Sequence, residues 1–97
     1  MKPDEIAFVS FLDAMAIPQC RIIIEVLARG PQSLKDLIRI SKLSPKSIEL
    51  HIEPLLKSKI ITAEKTNSAV TYRLNKKVFM TNSLWFESIR TSIEENL

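Results

Sequence analysis

The chain reads as a mainly α fold carrying one small β-hairpin, in the order α-α-α-α-β-β-α. Three observations predict it. Apolar residues recur at helical spacing from Ile6 to Leu55, and again from Phe79 to Ile93. Helix-start signals stand at Ser33 and at Ser44-Pro45. Between Ile60 and Leu74 the spacing changes to that of two strands around a polar tip.

A first helix is predicted over about residues 4–16, with Asp4 as its cap. Ile6, Phe8, Val9, Phe11, Leu12 and Met15 surround much of its girth, more apolar surface than one side of a small core needs. Pro18 suits the first turn of a second helix, where a missing N–H costs nothing. Ile23, Ile24, Val26 and Leu27 supply its buried side, and Gly30-Pro31 end it, with Gly30 as a left-handed cap. Ser33 begins a short third helix that ends near Ile40. Asp36 gives it a variant of the capping box, and Leu34, Leu37 and Ile38 point inward.

Ser41-Lys42-Leu43 forms a turn, and Ser44 caps a fourth helix with Pro45 at its first position. Ile48, Ile52 and Leu55 make a core stripe at i, i+4 and i+7. Pro54 removes a hydrogen bond and crowds the preceding turn, so this helix is expected to kink or to end about one turn early. Ile60–Glu64 and Val70–Leu74 are the strands. Lys65–Ala69 form the tip, where Asn67 tolerates a positive φ. A last helix from about Lys77 to Glu95 carries Phe79, Phe86 and Ile93 as a seven-residue seam.

Composition narrows the function classes. The 97 residues suit one domain, 1–97, with a single core and no linker, repeat or low-complexity tract. One Cys forbids an intrachain disulfide and suits a reducing compartment. One Gly and one His are too few for a phosphate-cradling Gly loop or a His-based metal cluster. No apolar run spans a bilayer, so no membrane partner is expected. Ile6–Leu12 with Ala14-Met15-Ala16 has a superficial likeness to a secretory leader. Asp4 and Glu5 offset Lys2, however, and Asp13 interrupts the approach to the cleavage-like site, so a helix of a cytoplasmic protein is expected.

The net charge of +3 is unevenly spread. Residues 57–77 hold Lys57, Lys59, Lys65, Arg73, Lys76 and Lys77 against Glu64 alone, while residues 1–20 and 78–97 are both net acidic. A concentrated basic segment is the electrostatic footprint of a phosphate-binding surface, or else a solvated Lys-rich loop.

Helix–helix–helix–turn–helix–hairpin–helix is the order of a winged helix-turn-helix, and residues 18–75 resemble the ArsR-type repressor family. Pro18-Gln19-Cys20-Arg21-Ile22-Ile23-Ile24-Glu25-Val26-Leu27-Ala28 resembles that family's second helix, and Ser33-Leu34-Lys35-Asp36-Leu37 its scaffold helix. Leu43-Ser44-Pro45-Lys46-Ser47-Ile48-Glu49-Leu50-His51-Ile52-Glu53-Pro54-Leu55 resembles its recognition helix, and Ile60-Ile61 with Tyr72-Arg73-Leu74-Asn75 its wing strands. The likeness implies a dimer whose recognition helices enter successive major grooves, with wings along the backbone. It covers about three-fifths of the chain.

Two departures matter. Sensor members often carry Cys-x-Cys in the third helix or paired Asp and His ligands in the last. Here the third helix has no Cys and the last has no His, so neither metal nor cofactor is expected. Recognition-helix positions that are usually small, polar or basic are here Glu49, Leu50 and Glu53. Glu can accept from cytosine N4 and Leu can pack on a thymine methyl, but acidic groups repel phosphates.

The candidate DNA contacts are Ser44, Lys46, Ser47, Glu49, Leu50 and His51 on the recognition helix, and Lys65, Asn67 and Arg73 on the wing. The candidate dimerisation residues are Phe8, Phe11, Leu12, Phe79, Trp85, Phe86, Ile89 and Ile93. His51 is read as a half-buried, hydrogen-bonded side chain or a phosphate contact, and Cys20 as a small buried apolar group. No nucleophile motif, metal spacing or paired-carboxylate site points to an enzyme. The leading expectation is a homodimeric regulator, a repressor by resemblance, that binds double-stranded DNA. The alternative is a winged-helix module that contacts a protein partner through Leu50 and the neighbouring acidic residues.

Overall fold

The computed structural model describes residues 5–97, so the expected Asp4 cap lies outside the described residues. Five helices and three strands follow in the order α1 (Glu5–Met15), α2 (Pro18–Ala28), β1 (Gln32–Ser33), α3 (Leu34–Ser41), α4 (Pro45–Lys57), β2 (Ile61–Thr66), β3 (Ala69–Leu74) and α5 (Lys76–Glu95).

The core is built around α2. Cys20, Ile23, Ile24, Val26 and Leu27 are all buried, which leaves Pro18, Arg21, Glu25 and Ala28 as the exposed residues of the helix. Leu37 of α3, Ile48 and Leu55 of α4, and Ile60 and Ile61 at the start of the hairpin pack into the same cluster, each 0–1% exposed. The stripe expected on the fourth helix is thus its buried face, with Ile52 in line.

Capping fixes where the two central helices begin. The Ser33 hydroxyl accepts from the Asp36 N–H at 3.1 Å, and the Ser44 hydroxyl accepts from the Ser47 N–H at 3.1 Å. The turn between them rests on Lys42, whose left-handed φ of 63° ends α3 while its N–H donates to the Ile38 carbonyl. Gly30 does take a positive φ of 151°, although the residue that caps α2 is Arg29, in a right-handed conformation.

Three features differ from the sequence expectation. α4 runs through Pro54 to Lys57 rather than ending a turn early. The bond that Pro54 cannot make, to the Leu50 carbonyl, belongs to an exposed stretch, and the Ser58 hydroxyl closes the last turn by donating to the Pro54 carbonyl at 2.7 Å. The strands are longer than the apolar alternation indicated, leaving Asn67-Ser68 as a two-residue turn with Asn67 at φ 49°. The third difference is β1. It pairs antiparallel with β3 through Gln32↔Tyr72 and Ser33↔Thr71, giving the strand order β1-β3-β2. Two residues carry no periodicity, so the pattern held no sign of it.

α5 starts from Asn75, whose side chain accepts from the Val78 N–H and whose N–H donates to the Ile60 carbonyl. It lies against α1, where Phe11 meets Phe79 edge-on at 5.3 Å and Phe8 meets Phe86 at 6.2 Å. Asn82 is the buried polar residue of this contact, 4% exposed. Its amide N–H donates to the Val78 carbonyl, but its Oδ1 has no partner among the described residues.

Two stability outcomes are expected. Asn82→Leu keeps the volume and removes the unpaired acceptor, so it should raise the unfolding free energy by about 1 kcal/mol in urea titration. Ser44→Ala should lower it by about 1 kcal/mol through loss of the α4 cap. A destabilised Asn82→Leu would show that Oδ1 has a partner.

Candidate nucleic-acid interface

α3 and α4, joined by the Lys42 turn, form the helix-turn-helix, and the hairpin stands beside α4. With Ile48, Ile52 and Leu55 turned to the core, helical spacing sends Lys46, Leu50 and Lys57 straight outward. Leu50 is 67% exposed. A large apolar side chain held in water on the outer face of a capped helix has no role in the protomer's own packing.

The two flanks of α4 differ. Ser47 and His51 lie on the flank toward α2. The His51 Nδ1 sits 2.7 Å from the Ser47 carbonyl, which can only accept, so Nδ1 carries the proton and Nε2 is left as the acceptor in the neutral ring. The half-buried, hydrogen-bonded His51 read from sequence is what the helix holds. Cys20 lies beneath, its Sγ 3.9 Å from the His51 carbonyl, and burial pushes its thiol pKa up. Cys20 is therefore the small buried apolar group that the sequence indicated.

On the opposite flank, Glu49 and Glu53 border a cleft of about 640 Å³ floored by Leu34, Ile52, Leu56 and Tyr72. Among the described residues no cation lies within 4 Å of either carboxylate, although Lys57 also borders the cleft. The acidic residues noted in the recognition-helix segment thus face the gap between helix and hairpin.

The hairpin register separates the wing cations. Lys65 pairs with Val70, Ala63 with Tyr72 and Ile61 with Leu74, so Lys65 shares a face with the buried base of the sheet. Arg73 pairs with Thr62 and points to the other face, where its Nε lies 3.4 Å from Glu64. Asn67 is exposed at the tip. Ser44, Lys46, Ser47 and Leu50 are therefore brought together on α4, Lys65 and Asn67 stand on the wing beside it, and Arg73 is turned away and already paired.

The dimerisation candidates divide as well. Phe11 is 3% exposed and packs on the half-buried Phe79, so this pair joins α1 to α5 inside the protomer and Phe11 has no surface to offer a partner. Trp85, Phe86, Ile89 and Ile93 continue the same side of α5 beyond the core, 41–58% exposed, with Trp85 stacked edge-on to Phe86 at 5.2 Å. Leu12 is exposed on α1 and Phe8 half-buried. Sequence reasoning passed over Met80 and Leu84, and counted Val9 in the apolar girth of α1 without naming it a contact; all three are exposed. Only the packing shows that they are left uncovered among the described residues.

Among the described residues no cluster of three or more His, Cys, Asp or Glu is placed to hold a metal ion. No single helix there is long and apolar enough to cross a membrane. α1 and α2 together reach that composition but are bent by 99° where they join.

No protein-family model matches the chain, and no curated protein matches it in sequence. Solved structures do. An ArsR family transcriptional regulator is similar with a TM-score of 0.76 at 23% identity, covering 97% of each chain. A homodimeric winged helix-turn-helix DNA-binding domain from Mycobacterium bovis, a possible ArsR-family regulator, is similar with a TM-score of 0.72 at 14% identity, over 92% of this chain and 83% of that one. The transcriptional repressor BigR from Xylella fastidiosa is similar with a TM-score of 0.67 at 19% identity, over 80% and 82%. At these identities the likeness is one of fold: the chain has the winged helix-turn-helix architecture of ArsR-family transcriptional regulators.

Proposed function

We propose that residues 1–97 act as one winged-helix unit that binds double-stranded DNA as a homodimer in the cytoplasm and represses transcription. The observation that carries this reading is the outer face of α4. A capped helix N-terminus presents Ser44, Lys46 and Ser47 with the solvent-held Leu50, and Lys65 stands on the wing beside it. The first turn of such a helix supplies base contacts in the major groove. Lys46 and Ser47 are assigned to bases, Leu50 to a thymine methyl, and Lys65 and Asn67 to the backbone, while Glu49 faces the cleft and is given no base. His51 offers its Nε2 at the edge of the same surface. The solved relatives of this fold are transcriptional regulators rather than enzymes, one of them homodimeric and one a repressor.

Dimerisation follows from the overhang of α5. Its 20 residues extend about 30 Å, and beyond Asn82 the apolar side passes out of the protomer core. An exposed stripe of Trp85, Phe86, Ile89 and Ile93 beside Leu12 is larger than a soluble monomer ordinarily leaves in water. A two-fold dimer through α1 and α5 covers it and sets two α4 helices roughly 34 Å apart, one turn of DNA.

One observation favours a second reading. The cleft beside α4 is apolar, and Glu49 and Glu53 on its border make no ion pair among the described residues. That surface suits a basic protein partner better than a phosphate backbone.

Duplex binding as a function of salt separates the two. Phosphate contact imposes a steep loss of affinity with salt, and Lys65→Ala should reduce the slope by about one unit while weakening all duplexes alike. Lys46→Ala should cost roughly 1–3 kcal/mol on a selected sequence and much less on random duplex. No binding to any duplex at low salt would remove the DNA reading in favour of the protein-binding one. For the dimer, Ile89→Asp or Ile93→Asp should give a folded monomer in sedimentation with weakened operator binding. An unmodified protein that sediments as a monomer at tens of micromolar would exclude this arrangement.

A further inference from the structure

The basic segment of residues 57–77 does not fold into one patch. Part of it comes together with a cation from elsewhere in the chain. Arg29 at the end of α2, Arg73 on the outer face of β3 and Lys76 at the start of α5 line one cavity of about 270 Å³ together with Leu27, Leu74 and Gly30-Pro31. Three elements far apart in sequence deliver three positive charges to this recess. Among the described residues the one carboxylate within 4 Å of any of them is Glu64, on Arg73 at 3.4 Å, and neither Arg29 nor Lys76 has an acidic partner at that distance. Arg73 lies on the opposite face of the hairpin from Lys65. The recess is therefore not an extension of the α4 surface.

We infer that this recess is a second binding site, for the phosphate group of an anion, held by Arg29, Arg73 and Lys76. Three like charges that share one carboxylate between them repel one another, and a multiply charged oxyanion relieves that repulsion. Guanidinium groups suit it further because they grip phosphate oxygens through two parallel N–H donors. The volume is ample for a phosphate or diphosphate group, and Lys76 adds its charge at the positive end of α5. Glu64 holds Arg73 in the absence of the anion and competes with it. The phosphate comes either from a small phosphorylated molecule or from the backbone of a duplex that reaches past the wing. The second source rests on the DNA-binding reading and the first does not.

The test uses the whole chain and inorganic pyrophosphate, titrated calorimetrically in chloride buffer without DNA. Arg29→Ala and Lys76→Ala should each weaken pyrophosphate binding about tenfold, the effect of losing a charge-assisted hydrogen bond. Glu64→Gln should tighten it by freeing Arg73. Lys35→Ala, an exposed charge on α3 away from the recess, should leave it unchanged. Thermal melts by circular dichroism verify that each variant is folded.

The same variants are then measured on duplex DNA across salt concentrations. Pyrophosphate binding that responds to Arg29 and Lys76, with duplex binding unaltered, identifies a site for a small phosphorylated molecule. No pyrophosphate binding, with the duplex salt slope reduced by about one unit in each variant, identifies the DNA backbone as the source. If neither titration responds to Arg29 or Lys76, or if Lys35→Ala weakens pyrophosphate binding as much as they do, the inference is overturned. Because the pyrophosphate arm contains no DNA, a chain that binds no duplex still gives a decisive result.

Discussion

Burial of the inner face of α4 against α2 is the contact on which the remaining geometry depends. α2 gives up five side chains to the core, and α4 meets it with Ile48, Ile52 and Leu55. Once those three point inward, the 3.6-residue period leaves no freedom for the rest. Lys46 and Leu50 must face water, Glu49 and Glu53 must face the hairpin, and His51 must lie against the α2 side. Removing a buried Leu or Ile from such a core typically costs 2–5 kcal/mol, so the aim of the outer face is held by the packing of the inner one. The Ser44 cap and the left-handed Lys42 set where that helix starts, and hence which residues fall in its first turn.

The terminal helices are part buried and part exposed along a single apolar face. Val78, Phe79 and Asn82 are turned into the protomer, while Trp85, Phe86, Ile89 and Ile93 continue the same side beyond it. The molecule measures 51 × 24 × 20 Å because α5 outruns the core it starts from. The Glu87–Arg90–Glu94 pairs occupy the exposed end of that helix, where solvent weakens ion pairs. They favour the helix itself rather than its packing.

Charge follows a similar logic of separation. β-sheet alternation puts Lys65 and Arg73 on opposite sides of one hairpin, although both belong to one basic run. Two separate basic surfaces result. One is the outer side of α4 with the wing tip, and the other is the recess where Arg29 joins Arg73 and Lys76.

The sequence alone determined the order of the five helices and the hairpin, both Ser caps, the buried stripe of α4, the buried state of Cys20 and the positive φ of Asn67. Each is a property of neighbours within about one turn or one strand, where capping, periodicity and turn chemistry act. β1 was not legible, because a two-residue strand exists only through its pairing with β3. The full length of α4 was not legible either, since Pro54 ends a helix unless the packing of Leu55 and the Ser58 bond hold the last turn. Among the candidate site residues, type and spacing singled out those of the first turn of α4. They could not separate Phe11, which the core consumes, from Ile89, which it leaves in water. Nor could they bring Arg29 to Arg73, because proximity between distant segments is decided by how α2, β3 and α5 pack and not by any local pattern.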